Sequence, residues 1–273
     1  MLASERWEAA LARWVWPAEI RASAPADPWV LSPADLAVTR RSGPPRPSPA
    51  SIAAQDALPR RGTVLDVGCG AGAASASLRQ SASKITGVDR RPAVLEEFAA
   101  ATSAKPSVLR RLTGGAPSVS VVDGRWPQIA GEVEIHDVVV CDHVLYDISE
   151  DVAGFVAALH DHARAAVVMT LTAKHPLHWL NPYAELLHGV LRPADPDVDL
   201  AAEVVRAVIG VTPTIVRWTE QLDEVQDMPA FERMVARRVC VGEDRLDDVG
   251  LALHRVPPPA QRAMAALVWP GGA

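Results

Sequence analysis

The chain has few cysteines, few Tyr and Phe, no long apolar run and no block of positive charge. Its three cysteines, Cys69, Cys141 and Cys240, are widely spaced and form no CxxC pair. That excludes zinc-ribbon spacing and a disulfide framework, and the expectation is reduced thiols in a cytoplasmic protein. No apolar stretch approaches the length of a membrane span. Glu5 and Arg6 beside Trp7 do not make the basic-then-apolar start of a secretory signal. With 27 Lys and Arg against 33 Asp and Glu the net charge is -6, so no general field draws the chain to nucleic acid. No internal repeat is visible.

The 273 residues are 49% hydrophobic, enough to build the core of one or two domains. Trp7, Leu11, Trp14 and Val15 recur at helical spacing over residues 4–16, and Pro17 stops the pattern. Ser32-Pro33-Ala34-Asp35 reads as a helix start. Ser42–Pro49, with four prolines, reads as an extended linker, and Ser48-Pro49 opens a further helix to about Leu58. Residues 1–60 are thus expected to be a helical N-terminal extension. Trp7, Trp14, Trp16 and Trp29 in it require burial, against the main domain or as a lid over a ligand mouth.

From residue 61 short apolar strands alternate with helices. Strands are expected at Thr63–Val67, Lys84–Val88, Ser118–Val122, Asp137–Val140, Ala165–Leu171, Thr214–Trp218 and Arg262–Trp269. Helices are expected at Ala71–Gln80, Pro92–Thr102, Val152–His162, Trp179–His188, Pro196–Ile209, Ala230–Val239 and Asp244–Leu253. Nearly continuous apolar strands separated by helices argue for an α/β fold with a parallel sheet covered on both faces.

Val64–Gly72 carries the densest signal. A strand runs into Gly68-Cys69-Gly70-Ala71-Gly72, where glycines permit backbone angles and ligand approach that a Cβ forbids, and the expected helix behind it would offer free N–H groups. A dinucleotide loop is spaced GxGxxG, which would require glycine where Ala73 stands. Asp89, at the end of the next strand, suits the ribose of any adenosine cofactor and does not separate the readings. Asp66 followed by GxGxG does, against a nicotinamide site.

Four segments stand in order at strand ends: Leu65-Asp66-Val67-Gly68-Cys69-Gly70-Ala71-Gly72, Thr86-Gly87-Val88-Asp89, Val122-Asp123-Gly124-Arg125-Trp126-Pro127, and Asp137-Val138-Val139-Val140-Cys141-Asp142-His143. In these the chain resembles the class I S-adenosylmethionine-dependent methyltransferases, over about residues 60 to 270. The resemblance implies a Rossmann-like seven-stranded sheet, mostly parallel with the last strand antiparallel, and S-adenosyl-L-methionine as cofactor. It implies that Gly68, Cys69, Gly70 and Gly72 hold the methionine part, with Asp66 reaching its amino group. Asp89 would take the ribose hydroxyls, with Arg90 beside the adenine and Asp123 and Gly124 at the adenine edge. Cys141 and the residues after it would line the place where acceptor and methyl group meet. Further segments, Cys141–Tyr146, Lys174–Pro182, His188-Gly189, Arg192-Pro193 and Leu267–Pro270, resemble a bacterial subgroup of methyltransferase-like proteins with no assigned substrate.

Methyl transfer requires alignment of the acceptor and, where that is protonated, a base. His143, His175 and Tyr146 are the catalytic candidates; Asp142, His143, Tyr146, His178, Trp179 and Asn181 are the acceptor-binding candidates. His160, His162 and His254 are expected on helix surfaces away from the mouth. Cys141-Asp142-His143-Val144 differs from the Asp/Asn-Pro-Pro-Tyr/Phe of nucleic-acid amino-methylases. Thr172-Ala173-Lys174-His175 lacks the Asp-Asn pair of metal-dependent catechol-type enzymes, and Glu150 alone does not make the glutamate pair of arginine methylases. The expectation is a metal-free enzyme acting on a small organic acceptor, without nucleic-acid or membrane partner. The alternative is a methyltransferase-like binding protein without methylation activity. The methyltransferase domain is expected over residues 61–273. A helical insertion at about 225–256, with Met228, Phe231, Met234 and Val235 on one face, would cover the acceptor side or form a homodimer contact.

Overall fold

A computed structural model describes residues 1–24, 26–29, 47–103 and 116–273. The helix start at Ser32 and residues 42–46 of the proline-rich linker lie outside them. In chain order the principal elements are α1 (Ala3–Ala12), α2 (Pro49–Ala57), β1 (Thr63–Val67), β2 (Lys84–Asp89), α3 (Pro92–Thr102), β3 (Ser118–Asp123), β4 (His136–Asp142) and α4 (Val152–Asp161). There follow β5 (Ala163–Thr172), α5 (Asn181–His188), α6 (Val198–Ile209), β6 (Thr214–Gln221), α7 (Met228–Arg238), α8 (Leu246–Arg255) and β7 (Gln261–Pro270).

The strands form one sheet in the order β3-β2-β1-β4-β5-β7-β6. The first five pair in parallel, and β7 runs antiparallel between β5 and β6. This is the Rossmann-like methyltransferase sheet, mostly parallel with its last strand reversed. The central strands are apolar throughout because both faces are covered. Leu65, Val67, Val139 and Cys141 enter one buried cluster with residues of α1, α4 and α6. Val64, Val138 and Val140 enter the other, with residues of α2 and α3. Trp7 of α1 lies in the first cluster, fully buried.

The helix ends follow local chemistry. The Ser48 hydroxyl accepts from the Ser51 N–H, and Pro49 occupies the first turn of α2. Asp197 caps α6 through the Leu200 N–H, and Gly210 ends it in the left-handed region.

Two expected helices are shorter than the pattern implied. The first ends at Ala12, so Trp14 and Val15 lie beyond it; Trp14 is buried, and Val15 is exposed. The segment Ala71–Gln80 is not one helix but a single α-turn, Ala73–Ala76, and a 3-10 turn, Leu78–Gln80. Its Ala/Ser composition offers little apolar surface to hold a longer helix against the sheet. The idea of a helix N-terminus aimed at a ligand therefore does not apply.

A third cluster joins Trp16 to α5, α7 and α8. Between it and the sheet, His175 stacks on Trp14 with ring centroids 3.6 Å apart. The buried Arg192 guanidinium lies 4.5 Å from the Trp14 ring and 4.1 Å from the Trp16 ring. Trp14 Nε1 donates to the Asp195 carbonyl, and Trp16 Nε1 donates to the Arg238 carbonyl. The three tryptophans Trp7, Trp14 and Trp16 are buried, whereas Trp29 remains 41% exposed.

Burial and the Arg192 charge push the His175 imidazole down to about 3. An unfolded His titrates near 6.5, so protonation favours the unfolded chain below that pH. Stability from this residue is complete above pH 6.5 and is lost as pH falls toward 3. His175→Phe keeps a stacked ring and removes the titration. Its melting temperature, followed by circular dichroism from pH 7 to pH 4, should fall less steeply than that of the unaltered protein; parallel curves would refute this source of acid sensitivity.

Candidate functional site

Strand order reverses at β1: the chain steps outward to β2 and β3, then returns to place β4 on the other side. The loops leaving β1 and β4 therefore flank one crevice at the carboxyl ends of the strands, where open α/β sheets bind ligands. Val67 pairs with Val88 on one side and Cys141 on the other, so Gly68 and Asp142 emerge at the same level.

The glycine loop is tied to β2 through Gly68 N–H and Cys69 N–H, which both donate to the Val88 carbonyl at 2.8 and 3.0 Å. A Cβ on Gly68 would fall 2.3 Å from Val144 Cγ2, so the β1 and β4 loops approach this closely only with glycine there. Gly70 has φ +51°, and a Cβ on it would meet nothing within 4 Å. Its free side faces open space, as a cradle for a ligand requires.

Two adjoining hollows share Gly68, Arg91, Val144 and Asp147. The first extends past Asp89 and Arg90 to Gly124, Arg125 and Trp126. The second extends past Cys69 and Gly70 to Asp142 and His143.

The acids of this crevice differ in state. Asp66 is fully buried; Ser75 Oγ donates to its Oδ2, and Oδ1 has no hydrogen-bond partner among the described residues. Burial pushes its carboxyl up to about 7, against the Ser75 hydrogen bond. Burial also acts on Asp89 in that direction, but the Arg91 hydrogen bonds and charge, with the Gly70 N–H, outweigh it and hold Asp89 below its ordinary value. Partial loss of hydration to neighbouring groups raises Asp147, with Arg90 and Arg91 opposing. His143 sits at φ +61° with Nε2 4.0 Å from Asp142 Oδ1. Desolvation lowers its pKa, with Asp142 opposing, so the ring is neutral at pH 7.

Of the residues singled out from sequence, Gly68, Cys69, Gly70, Asp89, Arg90, Gly124, Asp142 and His143 line the hollows. Asp66 and Cys141 are buried at the strand ends beneath, and Gly72 begins the short turn behind the loop. Asp123 ends β3 without lining either hollow. The remaining candidates are not brought to these hollows. Tyr146 packs against Trp7, and its hydroxyl donates to the Thr172 carbonyl at 2.9 Å. His175 is held in the Trp14 stack, and its low pKa makes it a weak base. Trp179 stacks on Phe231, and Asn181 Nδ2 donates to the Arg192 carbonyl. His178 opens the turn before α5, outside both hollows. His175, His178, Trp179 and Asn181 follow β5 closely in sequence, but the chain turns into the helical cluster at once. His162 is no free surface residue either, because its two ring nitrogens meet the Ala158 and Ala130 carbonyls.

The reading from sequence missed Arg91, Asp147 and Trp126. Arg91 stands beside Arg90 directly after Asp89, so its signal was the dipeptide itself. Trp126 stands in the third of the four segments but was given no role there, and Asp147 carried no spacing that marks a site. Among the described residues no three His, Cys, Asp or Glu side chains group as a metal site, and no helix is long and apolar enough to cross a membrane.

A sheet that reverses at β1, a glycine cradle and an acid ending β2 define a Rossmann-like nucleoside-cofactor protein. The family model described as "Methyltransferase domain" matches residues 46–239, and the chain belongs to that family. It is an S-adenosylmethionine-dependent methyltransferase. The free Asp66 oxygen and the open side of Gly70 are compatible with such a cofactor. No curated protein matches the chain. Among solved structures it is similar to the YcgJ protein of Bacillus subtilis, with 14% identity, 80% of this chain and 95% of that one covered, and a TM-score of 0.48. It is also similar to magnesium protoporphyrin IX methyltransferase of Synechocystis PCC 6803 with bound SAH, with 18% identity, 80% and 78% covered, and a TM-score of 0.46. A third is the arsenic(III) S-adenosylmethionine methyltransferase of Chlamydomonas reinhardtii, with 18% identity, 82% and 74% covered, and a TM-score of 0.45.

Because the folded-state pKa of Asp66 is about 7 and its unfolded value is near 3.9, the native state holds the extra proton between these values. The stability this confers is complete below the unfolded value and is lost as pH rises through 7. The loss reaches on the order of 3–4 kcal/mol at most. Asp66→Asn removes this dependence. The difference in unfolding free energy between variant and unaltered protein, measured in urea, should grow in favour of the variant from pH 5 to pH 8; a constant difference would refute the assignment.

Proposed function

We propose that this methyltransferase acts on a small organic acceptor by metal-free, in-line displacement, with His143 as general base. The observation that carries the reading is the placement of a neutral His143 in the same hollow as Gly70 and Asp142. In this reading Gly68, Cys69, Gly70 and Gly72 hold the methionine end, with Asp66 toward its amino group. Asp89 accepts from the ribose hydroxyls, Arg90 lies beside the adenine, Gly124 and Asp123 meet the adenine edge, and Cys141 floors the crevice. When bound, S-adenosylmethionine supplies an electrophilic methyl group on its sulfonium. Asp142 orients the His143 ring and stabilises its protonated form. His143 takes the acceptor's proton through a nitrogen that is unprotonated at neutral pH. The crowded β1 and β4 loops restrict the space beside it and limit water.

The enzyme is proposed to work in the cytoplasm, without nucleic-acid or membrane partner. Residues 1–60 and the insertion at about 225–256 are proposed to cover the acceptor side. Trp14 and Trp16 anchor that cover on His175 and Arg192, which favours a fixed wall over a swinging lid. Met228, 41% exposed at the start of α7, leaves that helix's end for a homodimer contact.

Calorimetric titration should give binding of both S-adenosylmethionine and S-adenosylhomocysteine. Asp89→Ala should weaken it by about 1–3 kcal/mol, as for loss of hydrogen bonds to a charged group. Absence of binding to folded protein at millimolar ligand would sink the cofactor assignment. With a panel of small phenols, amines and carboxylic acids, release of S-adenosylhomocysteine should reveal the acceptor class. His143→Gln should then lower kcat by about 10²–10⁴. Because the active form is the neutral ring and its pKa is lowered, activity should persist below pH 6.5 before it falls. A variant as active as the unaltered enzyme would remove His143 from the mechanism.

A further inference from the structure

All four lone-pair positions of the Asp89 carboxylate are taken. Oδ1 accepts from the Arg91 backbone N–H and from Arg91 Nε, each at 3.1 Å. Oδ2 accepts from the Gly70 N–H at 3.2 Å and from Arg91 Nη2 at 3.3 Å. A carboxylate offers about four acceptor sites, so no hydroxyl can join while the guanidinium stays. Withdrawing the Arg91 side chain frees one site on each oxygen and leaves both backbone bonds in place. One free acceptor on each of two adjacent oxygens is the pattern a vicinal diol satisfies with its two O–H donors.

We infer that Arg91 is an internal stand-in for the ribose diol, and that cofactor entry transfers its guanidinium from Asp89 to Asp147. The inference rests on the proposed role of Asp89 as ribose acceptor. The two partners are unequal: the Asp89 side chain is 6% exposed and that of Arg91 is 63% exposed. Asp89 therefore needs a replacement donor when the pair opens, whereas Arg91 can swing without unpacking anything. Asp147 lines both hollows together with Arg91, and its carboxylate accepts no hydrogen bond among the described residues. Asp147 is itself exposed; neighbouring groups that strip part of its hydration raise its carboxyl, and the Arg90 and Arg91 charges already oppose that. Arrival of the guanidinium completes the compensation.

The arrangement carries a cost in affinity, because each binding event must first break the Asp89–Arg91 pair. It also favours ligands bearing both ribose hydroxyls, since a single hydroxyl replaces only half of what the guanidinium supplied.

The test is calorimetry with S-adenosylhomocysteine on the full chain. Arg91→Gln removes the competitor and should tighten binding about three- to tenfold, the range of a partly exposed ion pair. It should also lower the melting temperature of the ligand-free protein. Arg91→Lys, which cannot fill both oxygens at once, should fall between. Asp147→Asn should weaken binding in the unaltered background and have no effect beside Arg91→Gln. Unchanged or weaker binding by Arg91→Gln would overturn the inference, because a bystander gives the first result and a direct cofactor contact the second. An Asp147→Asn loss that survives beside Arg91→Gln would overturn the transfer. If Asp89→Ala leaves affinity untouched, the ribose reading itself fails and the inference falls with it. If Asp89→Ala weakens binding while Arg91→Gln does not strengthen it, only the stand-in role fails.

Discussion

The parallel pairing of β1 with β2 on one side and β4 on the other is the constraint on which the site depends. It brings Val67, Val88 and Cys141 to one level, so that three loops leave the sheet around a common crevice. The loop after β1 cannot then rise away from the sheet, because its first two N–H groups are committed to the Val88 carbonyl. Its close approach to Val144 excludes a side chain at Gly68. Register, loop path and residue choice are thus one linked condition. A slip of one residue in β1 would exchange the two buried faces and move the glycines out of the crevice.

Four carboxylates, Asp66, Asp89, Asp142 and Asp147, surround this crevice within a chain of modest net charge. Their environments separate them. Full burial pushes the Asp66 carboxyl up to about 7, whereas hydrogen bonds from Arg91 and Gly70 hold Asp89 below its ordinary value. An acid-lined crevice suits a cofactor that carries a sulfonium and an ammonium. The raised carboxyl of the buried Asp66 makes the ligand-free protein sensitive to pH.

The segment after β5 is organised differently. Trp14, Trp16, His175 and Arg192 form a buried stack that fastens the N-terminal segment to the helices after β5. The guanidinium carbon lies over both indole rings, which offsets part of the cost of a buried cation. His175 and Asn181 are therefore packing residues of this joint, although their chemistry and their position after β5 marked them as acceptor contacts.

The sheet, and the placement of the Gly68–Gly72 loop and Asp89 at its crevice, were legible in the sequence. Alternating apolar segments specify a covered parallel sheet, and Asp66, the three glycines and Asp89 stand at the ends of two consecutive strands that this pattern pairs side by side. Only the tertiary structure decided which loop residues reach the crevice. The path of the chain after β5 depends on how Trp14 and Arg192 pack, contacts made across more than 150 positions of sequence, and no local spacing encodes them. Between Arg90 and Arg91, likewise, the dipeptide is silent. The choice falls to the residue whose side chain meets the Asp89 carboxylate once β2 has been fixed against β1.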